Sequence, residues 1–106
     1  MFERAALMGI NDSEVKIILD ILDKHLPNCE VFAYGSRAKG NFKPWSDLDL
    51  AVKSPENLDF LHIARIKEDF MESDLPFRVD IINFNAIKGD AVFRENITKS
   101  YIKIKG

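Results

Sequence analysis

The sequence predicts an α/β fold of the α+β kind, with a small mixed β-sheet packed with helices. Three observations predict it. Apolar residues recur at helical spacing in two long segments, short apolar or alternating segments typical of strands follow them, and turn residues separate the two kinds of segment. Strands that alternate with helices along one chain favour layers packed around a single core.

The first predicted element is a helix that begins at Asn11. Asn11 and Glu14, three residues later, have the spacing of a capping box. Apolar residues then follow at helical spacing until Pro27 ends the run. These residues are Val15, Ile18, Leu19, Leu22 and Leu26.

Two strands with a loop between them are predicted next. Residues 30–34 form a short apolar segment that Gly35 ends, which indicates a largely buried strand. Residues 35–46 contain two glycines, one proline and three basic residues, so they predict a loop or a very short helix. Residues 47–52 alternate between polar and apolar types, which indicates a second strand.

The second half of the chain predicts a helix, a strand and a further helix. Residues 59–72 place apolar side chains on one helical face, and residues 77–84 are mostly apolar, which favours a central strand. From Asp90 onward, four-residue spacing predicts a last helix whose apolar side chains either enter the core or face a partner. Residues 102–104 are expected to be extended. The residues that mark the two helices are Phe60, Ile63, Ile66, Phe70, Phe93, Ile97 and Tyr101.

Composition bounds the kinds of protein this chain can be. Its 106 residues are expected to form one domain, residues 1–106, and 46% hydrophobic with 30% charged residues is ordinary for a globular protein. A net charge of −2 gives no basic surface that would indicate nucleic-acid binding. No apolar stretch approaches the 18 or so residues of a membrane-spanning helix, and the single Cys29 excludes an internal disulfide. The chain is therefore expected to be cytoplasmic.

Three aspartates are the strongest functional signal. Asp47 and Asp49 lie two apart at the start of a predicted strand, so their side chains are expected to project from the same face. Asp80 lies within an apolar strand, where a carboxylate is costly to bury without a partner. If all three share a face, each pair about 4 Å apart repels by about 4 kcal/mol at an effective dielectric of about 20. Divalent cations relieve that repulsion, and oxygen ligands suit Mg²⁺ or Mn²⁺. The structural alternative makes Asp47 a turn residue and Asp49 an exposed strand position.

The turn at Gly35 and Ser36 supplies the other half of the predicted site. A glycine directly after a strand allows the backbone to turn sharply and approach a ligand closely. Amides at the start of a short helix, together with the Ser36 hydroxyl, can bind phosphate oxygens. Arg37 and Lys39 add positive charge to the same loop, either as phosphate ligands or as solvated loop charges. A phosphate site facing carboxylates and metal suits phosphoryl or nucleotidyl transfer.

Residues 35–50, GSRAKGNFKPWSDLDL, contain Gly-Ser, ten residues and Asp-x-Asp. This pattern resembles the signature of the polymerase-β-like nucleotidyltransferase superfamily. The small size of the chain and the sequence VDII around Asp80 resemble the minimal nucleotidyltransferases (MNT) in particular. The resemblance is particularly close to the small catalytic subunit of two-component systems, whose gene neighbour encodes an all-helical HEPN-type protein.

The resemblance implies a role for each motif residue. In that family the serine of the pair contacts the phosphates, so Gly35 and Ser36 are expected to hold the donor nucleoside triphosphate, ATP. The paired aspartates hold two Mg²⁺ ions, which implies this role for Asp47 and Asp49, with Mn²⁺ as an alternative metal. The third acid completes the metal site or takes the proton of the attacking hydroxyl, which implies this role for Asp80. All three are thus expected to be catalytic and to bind metal.

The resemblance also implies a function and a partner. The expected activity is Mg²⁺-dependent transfer of AMP from ATP to a hydroxyl, on a tyrosine of a HEPN-type protein encoded nearby, by the antitoxin of a toxin–antitoxin pair. The substrate-binding domain of larger relatives is missing, so this partner or a second copy of the chain is expected to complete the cleft. Two alternatives stay open: a non-catalytic antitoxin that occludes a helical partner, and a small-molecule nucleotidyltransferase that needs a separate substrate-binding subunit.

Overall fold

The computed structural model of the protein describes residues 4–55, 58–84, 95 and 101–106. A one-turn 3₁₀ helix, Ala6–Met8, comes first. The elements that follow are helix α1 (Asp12–His25), strand β1 (Glu30–Tyr34), the short helix α2 (Gly35–Lys39), strand β2 (Leu48–Lys53), helix α3 (Phe60–Glu72), strand β3 (Val79–Asn83) and strand β4 (Ile102–Lys105). None of the helices described has the length and the apolarity that crossing a bilayer requires.

Both long helices begin where the sequence predicts. The side chain of Asn11 accepts a hydrogen bond from the Glu14 amide, and the Glu14 carboxylate accepts one from the Asn11 amide, each at 2.9 Å. This reciprocal pair is a capping box, and it satisfies two amides that have no partner within the helix. Helix α3 starts in a similar way, because the Asp59 carboxylate accepts from the His62 amide at 2.8 Å.

The described strands form one mixed sheet in the order β3-β2-β1-β4. Strand β1 is antiparallel to both β2 and β4, and β2 is parallel to β3. The mixed sheet and the extended segment near the end of the chain are therefore confirmed.

The prediction that the third strand is central is wrong, because β3 lies at an edge of the sheet in the described part of the chain. Its apolar character has another origin. Val79 and Ile81 belong to the main core, whereas Ile82 packs against a second cluster around Ala51 and Phe84. Val79 and Ile81 are buried on one face and Ile82 is half-buried on the other, so β3 is apolar although β2 is its single neighbour among the described strands.

The main core lies on one face of the sheet, between the strands and the two long helices. Side chains alternate along a strand, so the same alternation that buries Ala33, Leu50 and Ile81 against the helices turns their neighbours to the other face. The core members from the helices are Val15, Ile18, Leu22, Ile66 and Phe70. We call the opposite face, which carries Tyr34, Asp49 and Asp80, the carboxylate face.

The ends of several elements differ from the prediction. Strand β2 starts at Leu48, so Asp47 lies one residue before the strand and not within it. The predicted strand 77–84 shortens to Val79–Asn83. The last helix, predicted from Asp90, falls mostly on residues outside those described, although Glu95, which is described, is helical. At the end of the predicted helix, Tyr101 lies directly before β4, outside any helix, and packs edge-on against Phe32 with ring centroids 4.6 Å apart.

Candidate active site

A row of three polar side chains crosses the carboxylate face. In the antiparallel pair Tyr34 is in register with Asp49, and in the parallel pair Asp49 is in register with Asp80. Residues in register on neighbouring strands project to the same side of a sheet, with Cβ atoms about 5 Å apart. One phenol and two carboxylates therefore lie side by side on three strands.

The electrostatics of this row show that its members act on one another. The pKa of Asp49 is raised to about 6 by burial, by the charge of Asp80 and by the charge of Asp47. The pKa of Tyr34 is raised to about 12 by burial and by the charges of Asp49 and Asp80. The structure thus brings the three predicted aspartates together, and Asp80 faces the same side as Asp49.

Gly35 allows the backbone to come directly against Asp49. It has a φ of +77°, a conformation that side chains rarely tolerate, and a Cβ built at this position would collide with the Asp49 carboxylate. The turn after β1 therefore packs on the central acid of the row. Ser36 follows at once, in the first turn of α2 and partly exposed, which places its hydroxyl-bearing side chain one residue from this contact.

The structure places Arg37 differently from the prediction that it contacts phosphate. Its side chain is only 1% exposed. The guanidinium donates to the backbone carbonyls of Met8 at 2.8 Å, Ser46 at 2.9 Å and Pro44 at 3.0 Å. Burial lowers the pKa of Arg37, while the charges of Glu14 and Asp47 raise it. With its nitrogens bonded to three carbonyls, Arg37 holds the loop and is not directed at a ligand.

Two aromatic rings complete the surroundings of this buried cation. The Arg37 guanidinium carbon lies 4.2 Å from the centroid of the Phe77 ring and 5.0 Å from that of Phe42. Because the carbonyl of Ser46 directly precedes Asp47, the hydrogen bond to it fixes the backbone from which Asp47 projects. Lys39 differs from Arg37, since it is exposed in the last turn of α2 and has no ion pair with a described residue.

Beyond Asp80 the site opens into a groove with a volume of about 740 Å³. We call it the edge groove, because it lies at the β3 edge of the sheet. Its walls come from the loop before β2, from α3 and from the chain that leads into β3. The lining residues are Trp45, Asp47, Lys67, Phe70, Met71, Leu75, Pro76, Phe77, Arg78, Val79 and Asp80.

Sequence reasoning missed Tyr34 and Lys67. Lys67 Nζ lies 3.4 Å from Asp80 Oδ1, and both side chains are a little over 40% exposed. Nothing local marks either residue, because their roles depend on strand register and on how α3 packs against β3. The alternation of β1 could have placed Tyr34 on the face of the site once its pairing with β2 was known.

The carboxylates of the site are the ligand type that suits the Mg²⁺ implied by the resemblance. Three carboxylates lie together, and Lys67 is the cation that pairs with one of them among the described residues. In this part of the chain, however, no three side chains of the metal-binding types are grouped closely enough to hold an ion by themselves. Mg²⁺ commonly takes one or two carboxylates and completes its shell with water and substrate phosphates. The residues therefore fit a metal that binds together with the nucleotide.

Comparison with known proteins gives a consistent result. Residues 15–104 match the model of the family described as nucleotidyltransferase domain. A probable protein adenylyltransferase MntA of Haemophilus influenzae is 47% identical over 100 residues, which cover 94% of this chain and 86% of the relative. A putative protein adenylyltransferase of Methanocaldococcus jannaschii is 34% identical over 82 residues, which cover 71% of this chain and 91% of that protein.

Solved structures share the fold. A toxin–antitoxin complex with AMP-PNP superposes with a TM-score of 0.71 at 20% identity, covering 87% of this chain and 73% of the other. A complex of a tri-AMPylated Shewanella oneidensis HEPN toxin with its MNT antitoxin gives 0.64 at 18% identity, covering 87% and 69%. At these identities the likeness confirms the predicted nucleotidyltransferase fold.

Proposed function

This chain belongs to the nucleotidyltransferase domain family, and from that premise we propose that it transfers AMP from ATP to a hydroxyl group on a partner protein. One observation supports the proposal above all: Asp49, in register with Asp80, is under the charges of both Asp80 and Asp47, and the Gly35 turn packs directly against its carboxylate. A merely structural role for these aspartates would leave three like charges together without benefit. Charge repulsion of this kind is typical of sites that bind metal and phosphate.

In the proposed reaction the acceptor oxygen attacks the α-phosphorus of ATP. A bond forms between that oxygen and phosphorus, and the bond from the α-phosphorus to the bridging oxygen breaks. Pyrophosphate leaves with the electron pair of the broken bond, and the hydroxyl proton passes to a carboxylate of the site, Asp80, and then to water. The product is a phosphodiester between AMP and the acceptor.

The carboxylates would hold the metal and orient the acceptor. Asp47 and Asp49 would be shared metal ligands, and Asp80, at the end of the row, would receive the proton and complete the site. Mg²⁺, when bound as two ions, would supply the positive charge that makes the hydroxyl more acidic and neutralises the leaving pyrophosphate. Mn²⁺ offers the same oxygen-based chemistry.

The phosphates of ATP would lie at the turn between β1 and α2. There the backbone amides near Gly35 and the Ser36 hydroxyl would donate hydrogen bonds to phosphate oxygens. Lys39 is exposed and stays a candidate for an ion pair with the negatively charged triphosphate. Arg37 is not among the residues proposed to bind phosphate, because its N–H groups already donate to three backbone carbonyl oxygens.

The proposed acceptor is a HEPN-type helical protein encoded beside this chain, with the chain acting as the antitoxin of the pair. This rests on two similarities: relatives named as protein adenylyltransferases and a shared fold with the MNT antitoxin of a HEPN toxin. A cytoplasmic location, as predicted from the sequence, is consistent with such a system.

Co-expression of the chain with the neighbouring gene product tests this function. We expect intact-mass spectrometry to show a gain of one or more AMP units on the partner, and we expect the Asp47→Asn, Asp49→Asn double variant to abolish it. If the partner gains no such mass beside the wild-type chain, the proposal fails. If the double variant still protects cells from the partner while transferring nothing, occlusion is the operative function.

A further inference from the structure

The site has two sides, the Gly35 turn on one and Asp80 with the edge groove on the other, and the two sides would bind different parts of the substrates. The Gly35 turn follows β1, Asp49 lies on β2, and Asp80 with the edge groove lies at β3. Phosphoryl and nucleotidyl transfers place the attacking and leaving oxygens roughly in line on opposite sides of the phosphorus. With the leaving pyrophosphate at the Gly35 turn, the attacking hydroxyl must approach from the side of Asp80.

The edge groove lies on that side and is lined differently from a phosphate site. Trp45 is 70% exposed and Met71 is 83% exposed, so the groove presents two large apolar side chains to solvent. Phe77 and Phe70 are buried beneath them. A groove of apolar walls and a few polar groups is typical of sites that bind organic side chains.

The edge groove is also lined by two positively charged side chains, Lys67 and Arg78. Lys67, which lines the groove, forms an ion pair with the Asp80 carboxylate, with Nζ 3.4 Å from Oδ1. Arg78 also lines the groove, is exposed, and forms no ion pair with a described residue. A segment with a carboxylate near its hydroxyl residue would complement the charge of the Arg78 guanidinium.

We propose that the edge groove is the acceptor site. It takes the segment of the partner protein that carries the modified hydroxyl, with an apolar neighbour of that residue packed between Trp45 and Met71 and an acidic one beside Arg78. This inference rests on the proposed function and adds the surface that selects the acceptor. The groove is continuous with the reacting groups, since Asp47 and Asp80 form part of its lining.

Two equally exposed side chains on α3 provide a matched test. Met71 lies in the groove, whereas Phe60, 84% exposed, lies on the same helix eleven residues earlier, about 16 Å away along the axis. We expect Met71→Glu to lower the rate of AMP transfer to the HEPN-type partner at least tenfold. We expect Phe60→Glu to stay within twofold of wild type, and AMP-PNP affinity to be unchanged in both variants. Circular dichroism confirms that each variant is folded.

Trp45 provides a readout that does not depend on activity, because it is the single tryptophan of the chain. With 5-fluorotryptophan at this position, ¹⁹F NMR should show a shifted resonance when the partner is added. AMP-PNP with Mg²⁺ alone should leave the resonance nearly unchanged. This measurement also covers the case in which Met71→Glu fails to fold.

The outcomes separate the two proposals. If the wild-type chain transfers no AMP to the partner, the proposed function fails and the acceptor site falls with it. If wild type transfers AMP and Met71→Glu is equally active, only the acceptor site is overturned. Equal losses in Met71→Glu and Phe60→Glu would overturn it in favour of a general docking face. A Trp45 resonance that moves with AMP-PNP instead of the partner would make the groove a nucleotide site.

Discussion

Asp49 occupies the centre of the polar row, with a neighbour in register on each side. Burial and two like charges make its ionised form unfavourable, which raises its pKa to about 6 from an ordinary value of 3.8. Such an arrangement lowers the stability of the protein. Natural proteins therefore keep it mainly at sites where the charge serves a function. The same reasoning gives a direct prediction for stability.

Asp49→Asn is expected to stabilise the metal-free protein at pH 7. Between about pH 4 and pH 6 the folded chain holds a proton on Asp49 that the unfolded chain has released, so raising the pH through this window lowers the free energy of unfolding. Allowing for partial screening by water, we expect the variant to melt roughly 4 °C higher at pH 7 and close to wild type at pH 4. Thermal unfolding in EDTA measures this. Asp20→Asn, at an exposed position paired with Lys16, is the control. A lower melting temperature for Asp49→Asn than for wild type at both pH values would contradict the prediction.

Gly35→Ala is expected to abolish transfer and to weaken binding of AMP-PNP at least tenfold. The new Cβ would strike the Asp49 carboxylate, and the positive φ would add strain. Gly40→Ala is the matched control, because Gly40 also has a positive φ but a Cβ there meets no other atom within 4 Å. Calorimetric titration with AMP-PNP and Mg²⁺ distinguishes the two, and equal effects would show that strain alone, rather than contact with Asp49, is responsible.

Arg37 is expected to act on stability and loop position rather than on phosphate. Arg37→Met removes three charge-assisted hydrogen bonds and leaves the carbonyls of Met8, Pro44 and Ser46 without this donor. We expect a loss of about 3 kcal/mol in the free energy of unfolding, and a smaller loss for Arg37→Lys, which cannot reach all three oxygens. Urea denaturation measures both. Unchanged stability with weaker nucleotide binding would support the original prediction of a phosphate ligand.

At the scale of elements, helix α1 depends on local sequence in a way that can be measured. Asn11→Ala removes the acceptor for the Glu14 amide and breaks the capping box. The expected cost is about 1 kcal/mol of stability, with no effect on the carboxylate face. Thermal unfolding checks this, with Ser13→Ala as the control, since Ser13 only donates to Asn11 from an exposed position. A variant as stable as wild type would mean that packing alone fixes the start of the helix.

Elements determined by neighbouring residues could be predicted from the sequence. Features that depend on contacts between residues far apart in the sequence could not. The start of α1, the strand at 30–34 and the turn at Gly35 are encoded by neighbouring residues. The position of β3 was not predictable in this way, because its apolar residues report burial and say nothing of which strands lie beside it. The contacts of Arg37 with Met8 and of Lys67 with Asp80 could not be predicted for the same reason, because these partners lie 29 and 13 residues away in the sequence.

The candidate site was predictable to the extent that its spacing is local. Asp47 and Asp49 could be placed together from their i, i+2 relation, and the Gly-Ser turn from its position after a strand. The side of the sheet that Asp80 faces could not be predicted without knowing the parallel register of β2 and β3, which pairs Asp80 with Asp49. Tyr34, in register on the other side, belongs to the row for the same reason.

At the scale of the whole molecule, the proposed site extends across the sheet from the inner strand β1 to the β3 edge. The Gly35 turn follows β1, Asp49 lies on β2, Asp47 lies one residue before that strand, and Asp80 and the edge groove lie at β3. Helices α1 and α3 pack on the opposite face of the sheet, and the polar row of Tyr34, Asp49 and Asp80 lies on the carboxylate face. In the proposed function, a partner that brings its own hydroxyl to the edge groove completes the site.

The most direct test follows the label of ATP onto the partner. With Mg²⁺, the chain and the HEPN-type partner are incubated with ATP labelled in either the α- or the γ-phosphate. We predict that only the α-label appears on the partner and that it is lost with Asp47→Asn, whose fold is intact by circular dichroism. Transfer of the γ-label, or an α-label that persists without the Asp47 carboxylate, would contradict the assignment of these three acids to nucleotidyl transfer.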